Sequence, residues 1–217
     1  FRRTSTYELG FMLGPRLNAA GRLDDMALGI ECLITEDESR ASQIALQLDA
    51  LNRQRREIEA DMQDSALVML ETTLSKQPPV HNATQNATDR TLNTHSLSLF
   101  DPGWHQGVIG ILASRMKDKF HRPVIAFAPG GDGEIKGSGR SITGFHLRDS
   151  LDLISKRYPG LLIKFGGHAA AAGLTLRASD FEKFRDAFEQ IAQALLSPAD
   201  LTLIIETDGS LDESELN

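Results

Sequence analysis

Gly166-Gly167-His168-Ala-Ala-Ala-Ala-Gly173 follows the apolar run Leu161–Phe165. A strand that ends in two glycines and then enters an alanine run brings bare backbone amides close to an anion, and the first N–H groups of a helix favour phosphate there. His168 adds a directed donor. The order predicts a strand over Leu161–Phe165 and a helix over Gly167–Ala172, although a plain strand-to-helix turn would use the same residues. A second motif, Gly137-Ser138-Gly139-Arg140-Ser141, surrounds a guanidinium with small residues. Its planar fork of donors matches phosphate oxygens, and Ser138 and Ser141 add hydroxyls. In Trp104-His105-Gln106-Gly107, His105 lies near the positive end of a helix predicted from Val108, where an anion is favoured. Trp104 is assigned to the core. Gly14-Pro15-Arg16-Leu-Asn18-Ala-Ala-Gly-Arg22 places Arg16 and Arg22 around a compact turn stiffened by Pro15. Arg22 suits a phosphate or an ion pair with Asp24 or Asp25, and the two readings stand level.

The remaining chemistry-bearing residues form no pattern. Asp132, Glu134, Asp149 and Asp152 lack defensible ligand spacing and read as solvated surface. His81, His95, His121 and His146 have no clustered partners, and His146 suits a cap before a helix at Leu147. The one cysteine, Cys32, rules out an internal disulfide; it suits a reducing cytoplasm and reads as core packing within an apolar helical pattern. No apolar run is long enough to span a bilayer. The net charge of −7 conceals an asymmetry: His95 to Arg177 holds 11 Lys+Arg against 6 Asp+Glu, and the rest holds 12 against 24. The glycine-rich motifs therefore sit in the basic part of an acidic chain, as a local phosphate-binding footprint requires.

Those motifs need a scaffold, and periodicity supplies one. Residues 1–34 read as the tail of a preceding domain. Thr35-Glu-Asp-Glu38 has capping-box spacing and opens a helix over residues 35–77, about 60 Å long at 1.5 Å per residue. Ile44, Leu48, Leu51, Ile58, Met62 and Met69 mark its apolar seam, interrupted at Arg55 and Ser65. One helix bridging two domains accounts for that pattern better than a coiled-coil dimer. Residues 78–94, rich in Asn, Thr and Gln, read as a flexible insertion. From 95 to 198, strands at Ser96–Phe100, Val124–Ala128, Glu134–Arg140, Leu161–Phe165 and Gly173–Leu176 alternate with helices at Val108–Phe120, Leu147–Arg157, Gly167–Ala172 and Asp180–Leu196. This is an α/β domain. A further strand is expected from Leu201 to Ile205 and a hairpin turn at Asp208-Gly-Ser-Leu, which together make 199–217 the start of another domain.

Taken in order, the Gly14–Asp25, Trp104–Arg115, Gly137–Ser141 and Gly166–Gly173 segments resemble the RecJ family of single-stranded-DNA-specific exonucleases, within the DHH phosphodiesterase superfamily. The last segment is similar to the signature of the DHHA1 domain. The resemblance covers nearly the whole chain outside 77–94. It implies a DHHA1-like mixed-sheet domain at 95–198, joined by the long helix to the tail of a DHH domain and followed by an OB-fold. It also implies a 5′-to-3′ exonuclease of DNA repair and recombination. In that superfamily an aspartate-bound pair of Mn²⁺ or Mg²⁺ ions clamps the scissile phosphate. Arg16 is then the residue expected to stabilise developing charge, with Asn18 orienting it. Arg22, His105, Ser138, Arg140, Gly166, Gly167 and His168 are the expected substrate contacts. The sequence holds no Asp-His-His and no Asp-x-Asp motif, so the metal ions are expected on an upstream DHH domain and this chain alone is expected to be inactive. Expected partners are single-stranded DNA, the flanking domains and repair proteins such as single-stranded-DNA-binding protein. Related phosphodiesterases for short RNA or cyclic dinucleotides, and a non-catalytic nucleic-acid-binding relative, are the alternatives.

Overall fold

The computed structural model describes residues 5–75, 94–204 and Gly209. A π-helical segment, Glu8–Leu13, runs directly into helix α1 (Gly14–Leu23). Leu13 and Gly14 both have helical dihedrals, and Pro15 follows the point where the π-helical ladder, with Gly14 N–H donating to the Leu9 carbonyl, gives way to α1. The expected compact turn at Gly14-Pro15 is therefore helical backbone, and Pro15 sets a helical φ rather than a turn. Asp25 caps α2 (Met26–Ile34), its side chain accepting from the Ala27 N–H at 2.8 Å. Helix α3 spans Glu38–Ser75, 38 residues or about 57 Å. Its cap is Asp37, whose Oδ1 accepts from the N–H groups of Ser39 and Arg40. The capping box expected at Thr35 and Glu38 does not form: Thr35 Oγ1 accepts from the Asp37 N–H at 3.3 Å, and the helix begins only after Asp37, which caps it.

Helix α3 serves two cores. Ile44 and Leu48 close a small cluster with Ala20 of α1, flanked by Leu28 and Cys32 of α2. Met62, Ala66 and Leu70 pack with Trp104, Val108, Leu112 and Met116 against the sheet. Between these clusters the seam turns polar. Arg55 pairs with the buried Glu59 and donates to Asn52 at 2.9 Å, and Glu59 also accepts from Arg115 at 3.1 Å. The residue that interrupts the apolar pattern is thus part of the tie between α3 and the next helix.

The second half is a five-stranded mixed sheet of order β1-β2-β3-β5-β4. Its strands are β1 (Leu97–Phe100), β2 (Val124–Gly131), β3 (Glu134–Arg140), β4 (Lys164–Gly167) and β5 (Ala171–Arg177). β1 and β2 are parallel, joined through α4 (Ile109–Phe120), and all other pairs are antiparallel. α5 (Leu147–Arg157) and α6 (Phe181–Leu195) cover one face, where Phe127, Phe184 and Phe188 form the centre of the core. α4 and the far half of α3 cover the β1–β2–β3 part of the other face. His146 caps α5 as expected, accepting from the Asp149 N–H at 3.2 Å.

The alanine run departs from expectation. Gly167–Ala172 is not a helix: β4 ends at Gly167, His168–Ala170 turn, and β5 begins at Ala171. The His168 N–H donates to the Ala171 carbonyl at 2.8 Å. Ala172, Leu174 and Leu176 are buried while Ala171, Gly173 and Thr175 lie on the opposite face, a period of two that pairing with β3 enforces. Sheet pairing here overrides the helix preference of alanine. For the same reason the strand expected at Leu161–Phe165 is displaced to Lys164–Gly167, and Leu161 and Leu162 drop into the core before it. Leu201–Ile204 form no strand; Thr202 closes a turn onto Ala199, and Leu201 packs on the core. Ile205, most of the expected hairpin turn and residues 78–93 of the expected insertion lie outside the described residues.

Gly137 faces the central core, and a Cβ there would sit 2.6 Å from Phe127 Cε1 and 2.7 Å from Leu174 Cδ2. Gly137→Ala is expected to destabilise the fold by about 1–3 kcal/mol through overpacking. A denaturant midpoint unchanged from wild type would contradict this account of the core.

Candidate nucleic-acid interface

Three segments far apart in sequence meet at the start of α4. Arg22 stands in the last turn of α1, and its backbone lies against the loop before α4 so closely that a Cβ on Gly107 would be 2.0 Å from the Arg22 carbonyl oxygen. No other residue type fits there without separating the helices. Arg22 Nη1 donates to the Gly107 carbonyl at 3.2 Å. It makes no ion pair with Asp24 or Asp25, since Asp25 faces away as the cap of α2. At the second residue of α4, a Cβ on Gly110 would lie 3.0 Å from Ser138 Oγ and 3.2 Å from Arg140 Nη2. The smallness of Gly110 lets Ser138 and Arg140 of β3 reach under the helix start. Val108, the residue before α4, has no side chain that caps the helix; the His105 carbonyl accepts from the Val108 and Ile109 N–H groups and the Val108 carbonyl from Ile111 and Leu112, so Gly110 is the first-turn residue whose N–H meets no such acceptor among the described residues.

The guanidinium of Arg140 is half-buried, with Nη1 donating to the Gly139 carbonyl at 2.7 Å and to Ser138 Oγ at 3.3 Å. Its pKa lies below the ordinary arginine value, first because burial penalises its charge and then because the Arg22 cation repels it. Arginine nevertheless stays charged at neutral pH. Neither Arg22 nor Arg140 has a carboxylate partner in any ion pair among the described residues. Two like charges held together without a counter-ion, beside a helix N-terminus, form a site suited to an anion. His105 stands at its edge. Its Nδ1 accepts from the Gly107 N–H at 3.1 Å, which leaves Nε2 as the donor of the neutral ring.

The other expected residues are placed differently. Arg16 is held by Asp49 of α3, through Nε at 2.9 Å and Nη2 at 2.8 Å, and by the Met12 carbonyl at 2.6 Å. Six residues separate it from Arg22, a rotation of about 240° on a helix, so the two leave α1 on different faces. Asn18 is exposed and does not orient Arg16, a task that Asp49 performs. Gly166 pairs with Gly173, which pairs with Ser138, so Gly166 shares the Ser138 face two strands away, about 10 Å. It is exposed, and a Cβ there would meet nothing within 4 Å. Gly167 has φ +147°, and a Cβ would collide with the Ala171 carbonyl oxygen at 2.4 Å. The hairpin itself demands that glycine. His168 is exposed at the hairpin tip. The structure thus gathers Arg22, His105, Ser138 and Arg140, leaves Arg16 and Asn18 apart, and replaces the expected helix start at Gly167 with that of α4. The sequence reading gave no role to Gly107 or Gly110. Their signal was present as small residues flanking a helix start, but their partners lie 85 residues upstream for Gly107 and 28–30 downstream for Gly110.

Among the described residues no group of three or more His, Cys, Asp or Glu side chains could hold a metal ion, and no helix is long and apolar enough to cross a membrane.

Residues 93–194 match the DHHA1 domain. The single-stranded-DNA-specific exonuclease RecJ of Dickeya dadantii is 51% identical over 209 residues, 96% of this chain and 34% of its own length. The protein of that name from Escherichia coli is 46% identical over 217 residues, 99% of this chain and 35% of its own. The crystal structure of RecJ with Mg²⁺ from Thermus thermophilus superposes with a TM-score of 0.69 at 29% identity, covering 88% of this chain and 26% of that one. An exonuclease RecJ bound to manganese also gives 0.69, at 28% identity, covering 90% of this chain and 43% of that one. The chain spans about a third of the length of the curated relatives it matches.

Gly107→Ala is expected to lower stability by about 3 kcal/mol, at the upper end for overpacking, because the obstructing atom is backbone and cannot yield. A melting curve that matches wild type would refute the close approach of α1 and α4.

Proposed function

The chain is a RecJ relative that carries a DHHA1 domain at residues 93–194, and from that premise we propose that it forms the substrate-gripping part of a single-stranded-DNA exonuclease working from the 5′ end in DNA repair and recombination. The observation that carries this reading is the pair of guanidiniums, Arg22 and Arg140, without a carboxylate at the start of α4. A phosphate there accepts from both arginines, from Ser138 Oγ and from the helix start, while the His105 ring offers Nε2 at the rim. Charge-assisted bonds of this kind are shorter and roughly twice as strong as neutral ones. They bind the backbone of the strand without reading its bases, as a nuclease of broad sequence tolerance requires.

Hydrolysis of a phosphodiester also needs a held phosphate and stabilisation of the charge that develops on it. Arg16 is the candidate for the latter. Asp49 and the Met12 carbonyl occupy three of its five N–H donors and fix the guanidinium, leaving two to meet an oxyanion. Asn18, exposed on the same helix, is a second donor toward the substrate. Divalent ions, Mn²⁺ or Mg²⁺, would activate water and stabilise the leaving oxygen when bound; this reading assigns them to a DHH domain elsewhere in the protein. Gly166 and His168 at the hairpin tip extend the grip, with Gly167 keeping the tip in shape. The flanking domains, an OB-fold and single-stranded-DNA-binding protein are the partners this reading entails, in the cytoplasm.

The test is binding of a fluorescent single-stranded oligodeoxynucleotide to this chain at low and moderate salt. Arg140→Ala is expected to weaken binding about tenfold or more, since a hydrogen bond to a charged group contributes about 1.5–3 kcal/mol and 1.4 kcal/mol is tenfold. Arg22→Ala should do the same, and His168→Ala should weaken binding less. Equal affinity for wild type and the Arg140 variant would sink the proposal.

A further inference from the structure

The apolar seam of α3 stops between its two cores: Leu51 packs with α1 and α2, and Ile58 is the next apolar residue, packed with the sheet half. At that gap a cleft of about 500 Å³ opens between α1, α3 and α4, within the size range of small-molecule sites. Arg56 and Gln63 lie two turns apart on one stripe of α3, with Arg55 and Glu59 beside them, and Pro15 of α1 and Arg115 of α4 form the walls. Glu59 is the one acid among the lining residues, and it is buried. Arg55 pairs with it and donates to Asn52, while Arg115 reaches it through Nε alone at 3.1 Å. The four N–H donors on the two terminal nitrogens of Arg115 are therefore unspent. Arg56 makes no hydrogen bond or ion pair among the described residues. Three guanidiniums against one carboxylate leave the cleft with a charge of about +2.

The tie between α3 and α4 uses one arginine from each helix on Glu59. Arg56 has no part in it, and beside Arg55 it adds only like-charge repulsion. We infer that the cleft is an anion site distinct from the one at Arg140, and that it takes a phosphate monoester, the end group of a nucleotide. A monoester carries about −1.5 to −2 at neutral pH, which matches the charge of the cleft, whereas a backbone diester carries a single charge. Arg56 from α3 and the free fork of Arg115 from α4 grip the phosphate from two sides, and the Gln63 amide adds a donor. Pro15 gives the sugar an apolar wall. The two sites do not merge. Arg115 follows Gly110 by five residues, about 140° around α4, so it leaves the helix away from Ser138 and Arg140. Pro15 precedes Arg22 by seven residues, about 10 Å along α1. Neither site needs the other, so occupancy of the cleft stands or falls separately from the grip at Arg140.

The experiment titrates thymidine 5′-monophosphate into this chain by calorimetry and compares wild type, Arg56→Ala and Arg140→Ala. Two sites are expected in wild type. Arg56→Ala breaks no bond of the fold, so it should melt as wild type does and lose about tenfold in affinity at one site. Arg140→Ala should weaken only the other. The site that remains in Arg140→Ala should also weaken as pH falls below about 6, where the monoester gives up its second charge. Competition in that variant separates the two sources of a monoester. Displacement of the nucleotide by a 5′-phosphorylated oligodeoxythymidylate assigns the cleft to a strand end, and failure to displace it assigns the cleft to a free nucleotide. Displacement by the same oligonucleotide without a terminal phosphate overturns the monoester assignment. Unchanged binding in Arg56→Ala overturns the cleft, and so does loss of all binding in Arg140→Ala, which leaves the arginine site standing. Binding kept in Arg140→Ala but lost in Arg56→Ala removes the arginine reading and leaves the cleft. A wild-type chain that binds no monophosphate overturns both.

Discussion

The approach of the Arg22 backbone to Gly107 is the constraint on which the site depends. Without a Cβ at Gly107 the end of α1 and the start of α4 meet at backbone distance, and Arg22 arrives beside a guanidinium that comes from a strand. Every other feature of the site follows from that seam. Gly110 admits Ser138 and Arg140, the two cations repel each other, and the partial burial of Arg140 keeps water from screening its charge fully. An arrangement that places like charges together without an acid is disfavoured by electrostatics alone, so the packing around it must hold it in place.

That packing is supplied by α3. One long helix carries Ile44 and Leu48 into the cluster with α1 and α2, and Met62, Ala66 and Leu70 into the cluster under α4. Between them Glu59 takes hydrogen bonds from Arg55 on its own helix and from Arg115 on α4. Glu59 is therefore committed to a structural tie between α3 and α4. Asp49 is committed in the same way to Arg16 and Arg53. Arg16, Arg53 and Arg55 thus have carboxylate partners, whereas Arg22 and Arg140 have none among the described residues.

Much of the scaffold was legible in the sequence. The helices at 109–120, 147–157 and 181–195 have strong three- and four-residue periodicity, and β2 and β3 are bounded by turn glycines. The segment after Gly166 was misread because four alanines carry almost no alternation of their own; the period of two appears only once β3 is known to lie alongside. The turn expected at Gly14-Pro15 failed for a different reason. Proline is as well suited to the first turn of a helix as to a loop, and the preceding π-helical segment decides between them. Of the site, Ser138, Arg140 and His105 were legible as donors near small residues. The union of Arg22 with them was not, because it depends on one backbone contact between residues 85 apart.

The seam between α1 and α4 has a thermodynamic consequence. An anion seated between Arg22 and Arg140 is bound by the helical half and by the sheet half at once, and it relieves the repulsion between them. Its binding free energy is therefore also cohesion between the halves, and by linkage whatever holds the halves together tightens the anion in equal measure. A domain built this way stiffens as it fills: the bound anion takes the place of the counter-ion that the protein itself does not supply.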